Sequence, residues 1–500
     1  MKVYDLVVIG SGSGLNILNE GLRRGLQCAL IESGKMGGTC LTRGCIPSKI
    51  LVYPADLISR TQHGEKVGVH FQKEINWDLI RERVWSKIDK SQKIKDNLSQ
   101  IKNLTLYRGR GEFVGECTLR VEMNNGQGYS EELRGKRMVI ASGARSFVPP
   151  IQGLDRVGYV TSDTFFGEKF PEKPWDSLII VGGGIIAVEF ANIFSSFGTE
   201  IKIVEMKSRL VSTEEPEVSD FLKTNLERFM EVYLNKKAVS TRLEGKSKVV
   251  TVEDMDTGEK QDVRGEEVFV ASGRRSNSDL LKPQNSGVEV DNRGWIKTNQ
   301  FLETTAENIW CIGDANGGFQ LRHRANYDAE ICIHNMFNEE NRRKKDYSVT
   351  PWAIYSHPQI GHVGMTQNEA IEAGYKISVA TKHYSSVAKG YAMGYEKDDA
   401  DDGFVKLIVS RNREILGAHI IGPHAAVLVQ PFAYLMNTGY TCPIPGGESK
   451  RGLIQRLSHP CPESGTFMPI EETMVIHPSL NEVAAWAIGS LKPVKTPNEE

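Results

Sequence analysis

The stretch that decides the fold runs from Tyr4 to Glu32 and reads "YDLVVIGSGSGLNILNEGLRRGLQCALIE". Its first residues form a short β-branched apolar run, which is typical of a buried parallel strand. Glycines follow at once, then a segment with helical apolar spacing, then a second apolar run that ends at Glu32. The order strand, glycine turn, helix, strand and acid predicts a dinucleotide-binding unit.

The glycines and the acid of this stretch have separate roles in such a unit. Gly10, Gly12 and Gly14 would let the backbone approach a pyrophosphate at the start of the helix, where free N–H groups favour an anion. Glu32 would accept hydrogen bonds from a ribose. The third motif position holds Leu15, which predicts looser packing of helix on strand, partly relieved by Gly14. A glycine turn in a fold that binds no nucleotide is the alternative.

The same pattern recurs between Ser177 and Glu205. The run "SLIIVGGG" leads into "IIAVEFANIFSSFG", and a strand "EIKIVE" follows. Gly182, Gly184 and Ala187 occupy the three motif positions, and alanine is accepted at the last of them. The chain therefore carries two predicted nucleotide sites.

The acid of the second unit bears on which nicotinamide cofactor binds. Glu205 would hydrogen-bond an unphosphorylated ribose and repel a 2′-phosphate, so NAD is favoured over NADP. Lys207 and Arg209 lie close in sequence and weaken this inference.

Composition excludes several other classes of protein. A chain of 500 residues is too long for one core, and 40% hydrophobic with 25% charged residues is typical of a soluble globular protein. A net charge of -2 gives no electrostatic reason to expect nucleic acid or an anionic membrane surface. No stretch has the apolar length of a membrane span, and the N-terminus lacks the apolar region of a secretory signal. We expect a cytoplasmic protein with neither nucleic acid nor membrane as partner.

Two cysteines stand close together in "GGTCLTRGCIPSK", Gly37 to Lys49. Cys40 and Cys45 could bind a metal, be inert buried thiols or exchange electrons. The sequence has no second CxxC or histidine cluster to complete a four-ligand zinc site. In a reducing compartment a persistent disulfide is usually catalytic or redox-sensing, which favours the third interpretation.

Later segments predict closing strands and a further domain. "MVIASGA" and "VFVASGRR" are apolar strands that end in small residues, and "NIWCIGDA" ends in Gly313 and Asp314, suited to place a carboxylate near a sugar or phosphate linkage. From about Thr350 the strands "FVKLIVS" and "ILGAHIIG" and one long helix around "AAVLVQPFAYLMNTG" predict a separate C-terminal domain.

These residues together carry a family resemblance over nearly the whole chain. The motifs are "GGTCLTRGCIPSK", the two glycine units, "ASGARSFVPPIQG", "ASGRRSN", "WCIGDA", "SHPQIGHVG", "GAHIIGPHAA" and "HPSLNE". The sequence resembles the class I pyridine nucleotide-disulfide oxidoreductases, the FAD-dependent family of dihydrolipoamide dehydrogenase, glutathione reductase, mycothione reductase and mercuric reductase.

The resemblance implies an α/β fold with two Rossmann-like dinucleotide-binding domains plus an α+β C-terminal dimerisation domain, as in glutathione reductase. It implies three domains with these bounds: FAD-binding at 1–153 and 274–347, NAD-binding at 154–273, and a C-terminal interface domain at 348–500 with an inserted segment at about 440–476.

The resemblance also implies site residues. Cys40 and Cys45 would form the redox disulfide, Cys40 exchanging with the substrate and Cys45 contacting the flavin. Lys49 would lie near the flavin and pair with Glu189. The expected cofactors are FAD and NAD, and the residues implied to contact them are Gly10, Gly12, Gly14, Glu32, Gly38, Thr39, Lys49, Ser142, Gly143, Gly182, Gly184, Ile185, Glu189, Glu205, Gly273, Gly313, Asp314, Leu321 and His323.

A base near the reacting sulfur is the remaining part of the implied site. Dithiol chemistry needs a thiolate, and an imidazole held by a carboxylate suits that need. By resemblance His477 is the base and Glu482 its orienting partner, and both complete the active site of the other subunit of a homodimer. His357, in "SHPQ", is a similar His-Pro pair outside this motif.

The motifs leave the substrate open. "CIPSK", "GAHIIGPHAA" and Glu205 resemble dihydrolipoamide dehydrogenase most, which would make a dihydrolipoyl group the substrate and a lipoyl-domain protein a partner. "GSGSGL" and "LVQPFAYLM" are closer to mycothione reductase, which reduces a small disulfide. A structural flavoprotein subunit of a larger assembly is an alternative of another class.

The segment Tyr440 to Ile476 is far longer than the family pattern by resemblance. It contains Cys442 and Cys461 in a basic context rich in proline and glycine. An insertion that reshapes substrate access is the preferred hypothesis. A second redox pair that relays electrons from Cys40 is the sharper one.

Overall fold

The computed structural model describes residues 1–338, 340–410, 414–437 and 473–477. Contacts divide the chain into two compact units. The first contains Met1–Lys345, Tyr355–Pro358 and His383–Gly403. The second contains Asp346–Ile354, Gln359–Lys382 and the described residues from Phe404 onward. Two segments of the block that begins near Thr350 therefore pack with the first unit.

The first unit is an α/β structure. Its strands are β1 (Lys2–Ile9), β2 (Cys28–Glu32), β3 (Leu104–Gly115), β4 (Thr118–Met123), β5 (Leu133–Ile140), β6 (Ala144–Ser146), β7 (Val160–Thr161), β8 (Ser177–Val181), β9 (Glu200–Val204), β10 (Glu231–Tyr233), β11 (Lys236–Glu244), β12 (Ser247–Asp254), β13 (Lys260–Gly265), β14 (Glu267–Val270), β15 (Arg274–Ser276) and β16 (Ile309–Cys311). Its helices up to residue 338 are α1 (Gly14–Arg23), α2 (Gly38–Thr42), α3 (Cys45–Gly64), α4 (Trp77–Ile88), α5 (Lys90–Ser99), α6 (Leu154–Val157), α7 (Ser162–Phe165), α8 (Ile185–Ser196), α9 (Pro216–Leu226), α10 (Ser278–Leu281) and α11 (Arg322–Phe337).

The first sheet is built around β1. This strand pairs in parallel with β2 on one side and β5 on the other, β2 pairs with β3, and β5 pairs with β16. The hairpin strand β4 is antiparallel to β3 and β5. Parallel neighbours need a crossover, and α1 provides it between β1 and β2.

The second sheet repeats this plan with β8 at its centre. Its order is β10-β9-β8-β14-β7, and the neighbours are parallel. Leu178, Ile179 and Ile180 of β8 are fully buried, as expected for a strand covered on both faces. The following helix α8 is buried around most of its circumference. Smaller antiparallel pairings join β11, β12 and β13, and β6 with β15.

The second unit is an antiparallel sheet with short helices. Its strands are β17 (Trp352–Ile354), β18 (Ile360–Gly364), β19 (Ile377–His383), β20 (Phe404–Ser410) and β21 (Ile415–Ile421), in the order β17-β18-β21-β20-β19. Helix α12 (Gln367–Glu372) belongs to this unit, whereas α13 (Ala388–Ala392) lies in the segment that packs with the first.

The long helix predicted around "AAVLVQPFAYLMNTG" is wrong. The structure has two short helices, α14 (Ala425–Leu428) and α15 (Gln430–Met436), which meet at Val429. Pro431 lies in the first turn of α15. Proline is accommodated in a first helical turn, but within a continuous helix it removes a hydrogen bond and clashes with the preceding turn.

An aromatic cluster forms the core beneath the second sheet. The ring of Phe165 is fully buried and meets the rings of Phe190 and Phe194 edge-on, with centroids 5.1 and 5.7 Å away. Phe269 of β14 stacks on Phe190 at 4.4 Å. Such rings combine a large buried area with favourable edge-to-face geometry.

Phe165→Ala should therefore lower the free energy of unfolding by about 3 to 5 kcal/mol, because it removes buried ring contacts and leaves a cavity. Urea denaturation followed by tryptophan fluorescence would measure the loss. Phe229→Ala is the matched control, since that ring is 50% exposed. An equal loss in both variants would contradict this picture of the core.

Candidate active site

The first glycine turn lies where β1 ends and α1 begins. Gly10 has a φ of +106°, and a Cβ there would stand 2.2 Å from the carbonyl oxygen of Ala141. A Cβ on Gly14 would stand 2.8 Å from Cγ1 of Val8 on β1. Close packing of helix on strand is thus made at Gly14, against the looser packing expected from Leu15.

The acid at the end of β2 binds the glycine turn. Oε2 of Glu32 accepts hydrogen bonds from N and Oγ of Ser11, at 2.8 and 2.6 Å, and Oε1 accepts from N of Gly34 at 2.7 Å. The carboxylate predicted to receive a ribose is therefore held beside the turn by its own loop.

The second unit repeats the arrangement. Gly182 has a φ of +120°, and a Cβ there would stand 2.4 Å from the carbonyl oxygen of Ala271. Glu205 accepts hydrogen bonds from N of Gly183 and N of Lys207. The two predicted nucleotide loops thus share one construction.

The cysteine segment packs against the first glycine turn. A Cβ on Gly38 would stand 2.5 Å from Cα of Gly12, and N of Gly37 donates to Oγ of Ser11 at 3.0 Å. Helix α2 carries Thr39 and Cys40, and α3 begins at Cys45; both thiol-bearing residues are partly exposed. The structure therefore holds the cysteine segment beside the predicted pyrophosphate site.

A cation lies one helical turn after Cys45. Nζ of Lys49 is 2.7 Å from Oε2 of Glu189 on α8 and 4.5 Å from the ring centroid of Tyr355. N of Tyr355 donates to Oε1 of Glu189 at 2.9 Å. The two ion-pair side chains are only 20% and 10% exposed. The sequence did not single out Tyr355, which is more than 300 residues from Lys49 in the chain.

The residues present fit a bound dinucleotide at the first turn. Oγ of Ser142 is buried and has no hydrogen-bond partner among the described residues. A Cβ on Gly143 would meet no atom within 4 Å, and one on Gly12 would meet only Cα of Gly38 at 4.0 Å. Space beside these backbones and an unused hydroxyl are what a phosphate and sugar chain require.

The second turn offers similar room. A Cβ on Gly184 or Gly273 would meet no atom within 4 Å. Ile185 begins α8, directly after this open stretch. The N-terminus of α8 is thus accessible to an anion such as a pyrophosphate.

The loop after β16 carries the predicted sugar ligand. Gly313 and Asp314 lie in a 3₁₀ helix, Gly313–Asn316. Burial raises the pKa of the Asp314 carboxyl, against the opposing effect of Arg274 and Arg324. Leu321 is the N-cap of α11, and His323 is buried in the first turn of that helix.

A buried ion pair in α11 shapes this loop and was missed from the sequence. Arg324 and Asp328 are almost fully buried and 3.3 Å apart. Oδ2 of Asp328 accepts from N of Gly313, and Arg324 donates to Asn316 and to the carbonyl of Gly317. In the sequence, the only local indication that Arg324 and Asp328 hold this loop is their opposite charge at a spacing of one helical turn.

The structure describes two histidines that precede a proline, His357 and His477. Burial lowers the pKa of His357 to about 4, so its imidazole is neutral at pH 7. His477 belongs to the second unit, after Ile476, whose N donates to Oε1 of Gln430 at 3.2 Å. Glu482, Cys442 and Cys461 lie outside the described residues.

Two nucleotide-binding units, with a cysteine pair beside one of them, define a class of enzyme: flavoprotein disulfide oxidoreductases. The family model for pyridine nucleotide-disulphide oxidoreductase matches residues 4–329, and that for the dimerisation domain matches residues 350–444. The chain belongs to this family, which is FAD-dependent and uses NAD(P)H. The predicted fold class is confirmed, and the dimerisation domain indicates a homodimer.

Several known proteins are similar over most of their length. Mycothione reductase of Mycobacterium tuberculosis H37Rv is 32% identical over 454 residues, 88% of this chain and 94% of the relative. Dihydrolipoyl dehydrogenase of Bacillus subtilis is 29% identical, over 85% and 90%. Among solved structures, the HOCl-induced flavoprotein disulfide reductase RclA from Escherichia coli has a TM-score of 0.73 at 28% identity, over 87% and 93%.

The described residues contain no helix long and apolar enough to cross a membrane.

The first glycine turn can be tested by a pair of substitutions. Gly10→Ala should destabilise the protein by about 2 to 4 kcal/mol, because it places a Cβ against a backbone carbonyl at positive φ. Gly12→Ala should leave the unfolding midpoint of the flavin-free protein nearly unchanged and weaken retention of FAD, since its Cβ would enter the open cradle. Thermal denaturation and the flavin-to-protein absorbance ratio would separate the two effects. Equal stability of both variants would refute this assignment.

The buried ion pair gives a second test. Glu189→Gln should lower the free energy of unfolding by about 1 to 3 kcal/mol, because it leaves the Lys49 ammonium without its anion in a largely buried place. The exposed pair of Lys223 and Glu227 is the control, and Glu227→Gln should cost less than about 0.5 kcal/mol. Urea midpoints measured side by side would check this, and equal losses would argue against a buried pair.

Proposed function

We propose that the protein is an FAD-dependent dithiol/disulfide oxidoreductase that transfers electrons between NAD(H) and a thiol substrate through Cys40 and Cys45. The observation that carries the proposal is the position of Lys49. Its ammonium lies one helical turn after Cys45 and is held between Glu189 and Tyr355. A cation fixed beside a redox cysteine suits chemistry in which electrons pass to and from sulfur.

Different residues of the chain have different roles toward the proposed FAD cofactor. When bound, FAD supplies the two-electron chemistry between nicotinamide and disulfide. Gly12 and Gly143 would leave room for the cofactor beside the backbone, and Ser142 would offer its hydroxyl. Gly10, Gly14 and Gly38 make the close protein contacts that shape the turn. Lys49 would supply a positive charge near the bound flavin, which would favour its reduced form.

The substrate step takes place at sulfur. When a dihydrolipoyl group is oxidised, a substrate thiolate attacks Cys40 of the protein disulfide and Cys45 leaves as a thiolate; the second substrate thiol then displaces Cys40 from the mixed disulfide. With a disulfide substrate the same steps run in reverse, and Cys45 closes the protein disulfide. The proton of the attacking thiol needs a base, and His477, oriented by Glu482, takes that role in the active site of the partner subunit of a homodimer. The resemblance supports this assignment.

NAD is the proposed nicotinamide cofactor. Glu205 binds two backbone N–H groups at the end of β9, where a 2′-phosphate would have to lie. The negative charge of Glu205 would repel a ribose phosphate. Nζ of the neighbouring Lys207 donates to Oγ of Ser212 at 2.9 Å.

A protein-bound dihydrolipoyl group is the proposed substrate, with a lipoyl-domain protein as its carrier and the cytoplasm as the compartment. A small disulfide is the second candidate, because mycothione reductase is 32% identical to this chain. Segment 440–476, with Cys442 and Cys461, would then reshape access to Cys40. The division into FAD, NAD and C-terminal interface domains remains a prediction.

Anaerobic reduction tests the proposal. The purified yellow protein is reduced with NADH or NADPH and then reoxidised with lipoamide or a panel of small disulfides. We expect a long-wavelength thiolate-to-flavin band with NADH, at least tenfold less efficiently formed with NADPH, and discharged by lipoamide. Cys45→Ser should abolish the band, and Cys40→Ser should retain it while turnover is lost.

Other outcomes separate the alternatives. Discharge by a small disulfide, but not by lipoamide, would support the second candidate. Unchanged turnover after replacing both Cys442 and Cys461 with serine would eliminate the electron relay. Absence of the band in the unmodified protein would overturn the assignment of Cys40 and Cys45 and favour a structural flavoprotein.

A further inference from the structure

The redox loop, the segment from Cys40 to Cys45, contains one cationic residue. Arg43 lies between Cys40 and Cys45 and is the C-cap of α2. Because a residue spans at most about 3.6 Å of chain, its Cα is within about 11 Å of that of Cys40 and about 7 Å of that of Cys45. Nε of Arg43 lies 3.6 Å from Oδ1 of Asp163.

Asp163, the ion-pair partner of Arg43, is held in place by a buried helix and by hydrogen bonds. It lies in α7, whose last residue, Phe165, is fully buried in the aromatic cluster. Its Oδ2 accepts hydrogen bonds from N and Oγ of Ser146, at 2.7 and 2.9 Å. The other oxygen is buried and faces Arg43, and neither Oδ1 of Asp163 nor Nε of Arg43 has a hydrogen-bond partner among the described residues. Charge attraction, not a hydrogen bond, joins the two.

A second cation shares the same carboxylate. Burial opposes ionisation of Asp163, but Arg274, Arg43 and the Ser146 hydrogen bonds outweigh it, so the pKa of this carboxyl lies below its usual value. Arg274 is itself held by a bond from Nη2 to the carbonyl of Ala144. At neutral pH two cations and one anion therefore lie together, and one of the cations belongs to the redox loop.

We propose that Arg43, neutralised in part by Asp163, sets the reduction potential of the Cys40/Cys45 pair. Arg43 is thus a positioning residue, and the inference rests on the proposed function of the two cysteines. Reduction of the disulfide creates thiolate charge at the ends of the loop, and a cation carried by the loop itself favours the reduced form. Asp163 weakens that effect.

The opposite charges of Arg43 and Asp163 predict that their removal shifts the dithiol–disulfide equilibrium in opposite directions. Arg43→Gln removes the loop cation and should favour the disulfide. Asp163→Asn leaves two uncompensated cations and should favour the dithiol. A purely structural role would loosen the loop in both variants and shift the equilibrium in one direction.

Thiol–disulfide exchange measures the equilibrium without turnover. The full-length holoprotein is incubated in mixtures of reduced and oxidised dithiothreitol, acid-quenched and alkylated, and the Cys40–Cys45 peptide is quantified by mass spectrometry. In the exchange, two electrons reduce the protein S–S bond, and the reagent's two sulfurs close into a cyclic disulfide. The two reagent protons pass to the protein sulfurs, or to solvent where a thiolate remains.

We expect Arg43→Gln and Asp163→Asn each to change the exchange constant about threefold to tenfold, in opposite directions, where tenfold is about 30 mV for a two-electron couple. Arg43→Lys should stay within about twofold of the unmodified protein, and Arg43→Glu should exceed Arg43→Gln in the same direction. Arg242→Gln, which breaks an exposed ion pair between β11 and β13, is the control and should have no effect.

The outcomes are distinguishable. If the unmodified protein shows no dithiol-to-disulfide transition at Cys40 and Cys45, the proposed function fails. If it shows one, but the Arg43 and Asp163 variants leave it unchanged or shift it in the same direction, this inference fails and the proposed function stands. Should Asp163→Asn not fold, the graded series at Arg43 decides alone, and the absence of an order Lys, Gln, Glu would overturn the inference.

Discussion

The contact between the backbones of Gly12 and Gly38 is the constraint on which the rest of the site depends. Any side chain at position 38 would place a Cβ 2.5 Å from Cα of Gly12, so helix α2 can lie against the nucleotide turn only because residue 38 is glycine. Cys40 is two residues further along that helix. The close approach at Gly38 therefore also determines where the first sulfur lies.

A second constraint joins the two nucleotide units. Lys49 is four residues after the start of α3 at Cys45, and Glu189 is four residues after the start of α8 at Ile185. Their ion pair therefore holds the two helices together one turn below their N-termini, where one begins with a thiol and the other follows the second glycine turn. A buried pair is costly to desolvate, and the N–H and ring of Tyr355 offset part of that cost.

Local sequence patterns predicted the order of helices and strands in the two glycine-turn units. They could not predict features that depend on contacts between residues distant in the chain. The order of β1, α1 and β2, and its repeat from β8 to β9, follows from periodicity and glycine placement within about 30 residues. The same reasoning joined α14 and α15 into one helix, because the apolar spacing continues through Pro431, whose ring requires a new helix start. At Leu15 the motif position suggested loose packing, whereas the neighbouring Gly14 makes the close approach.

Prediction of the candidate site from the sequence had the same limit. Glycine spacing marked the two turns and cysteine spacing marked the pair Cys40 and Cys45, whereas the resemblance implied the redox role of that pair and added Glu189. No spacing marks Tyr355 or Asp163, which meet Lys49 and Arg43 from more than a hundred residues away in the chain. Such contacts are set by the packing of whole elements, and a single sequence carries no local pattern for them.

The two acids bear on which kind of ribose each turn can accept. Glu32 and Glu205 each accept one hydrogen bond from a backbone N–H of the glycine turn and one from the loop after their own strand, so each carboxylate holds these two loops together. A carboxylate has about four lone-pair sites, which leaves room to accept a ribose hydroxyl without releasing the loop. A phosphate there would have to displace the acid and leave part-buried N–H groups unpaired, at about 1 to 3 kcal/mol each. Repulsion and loop geometry therefore act in the same direction, and this supports NAD as the cofactor of the second turn.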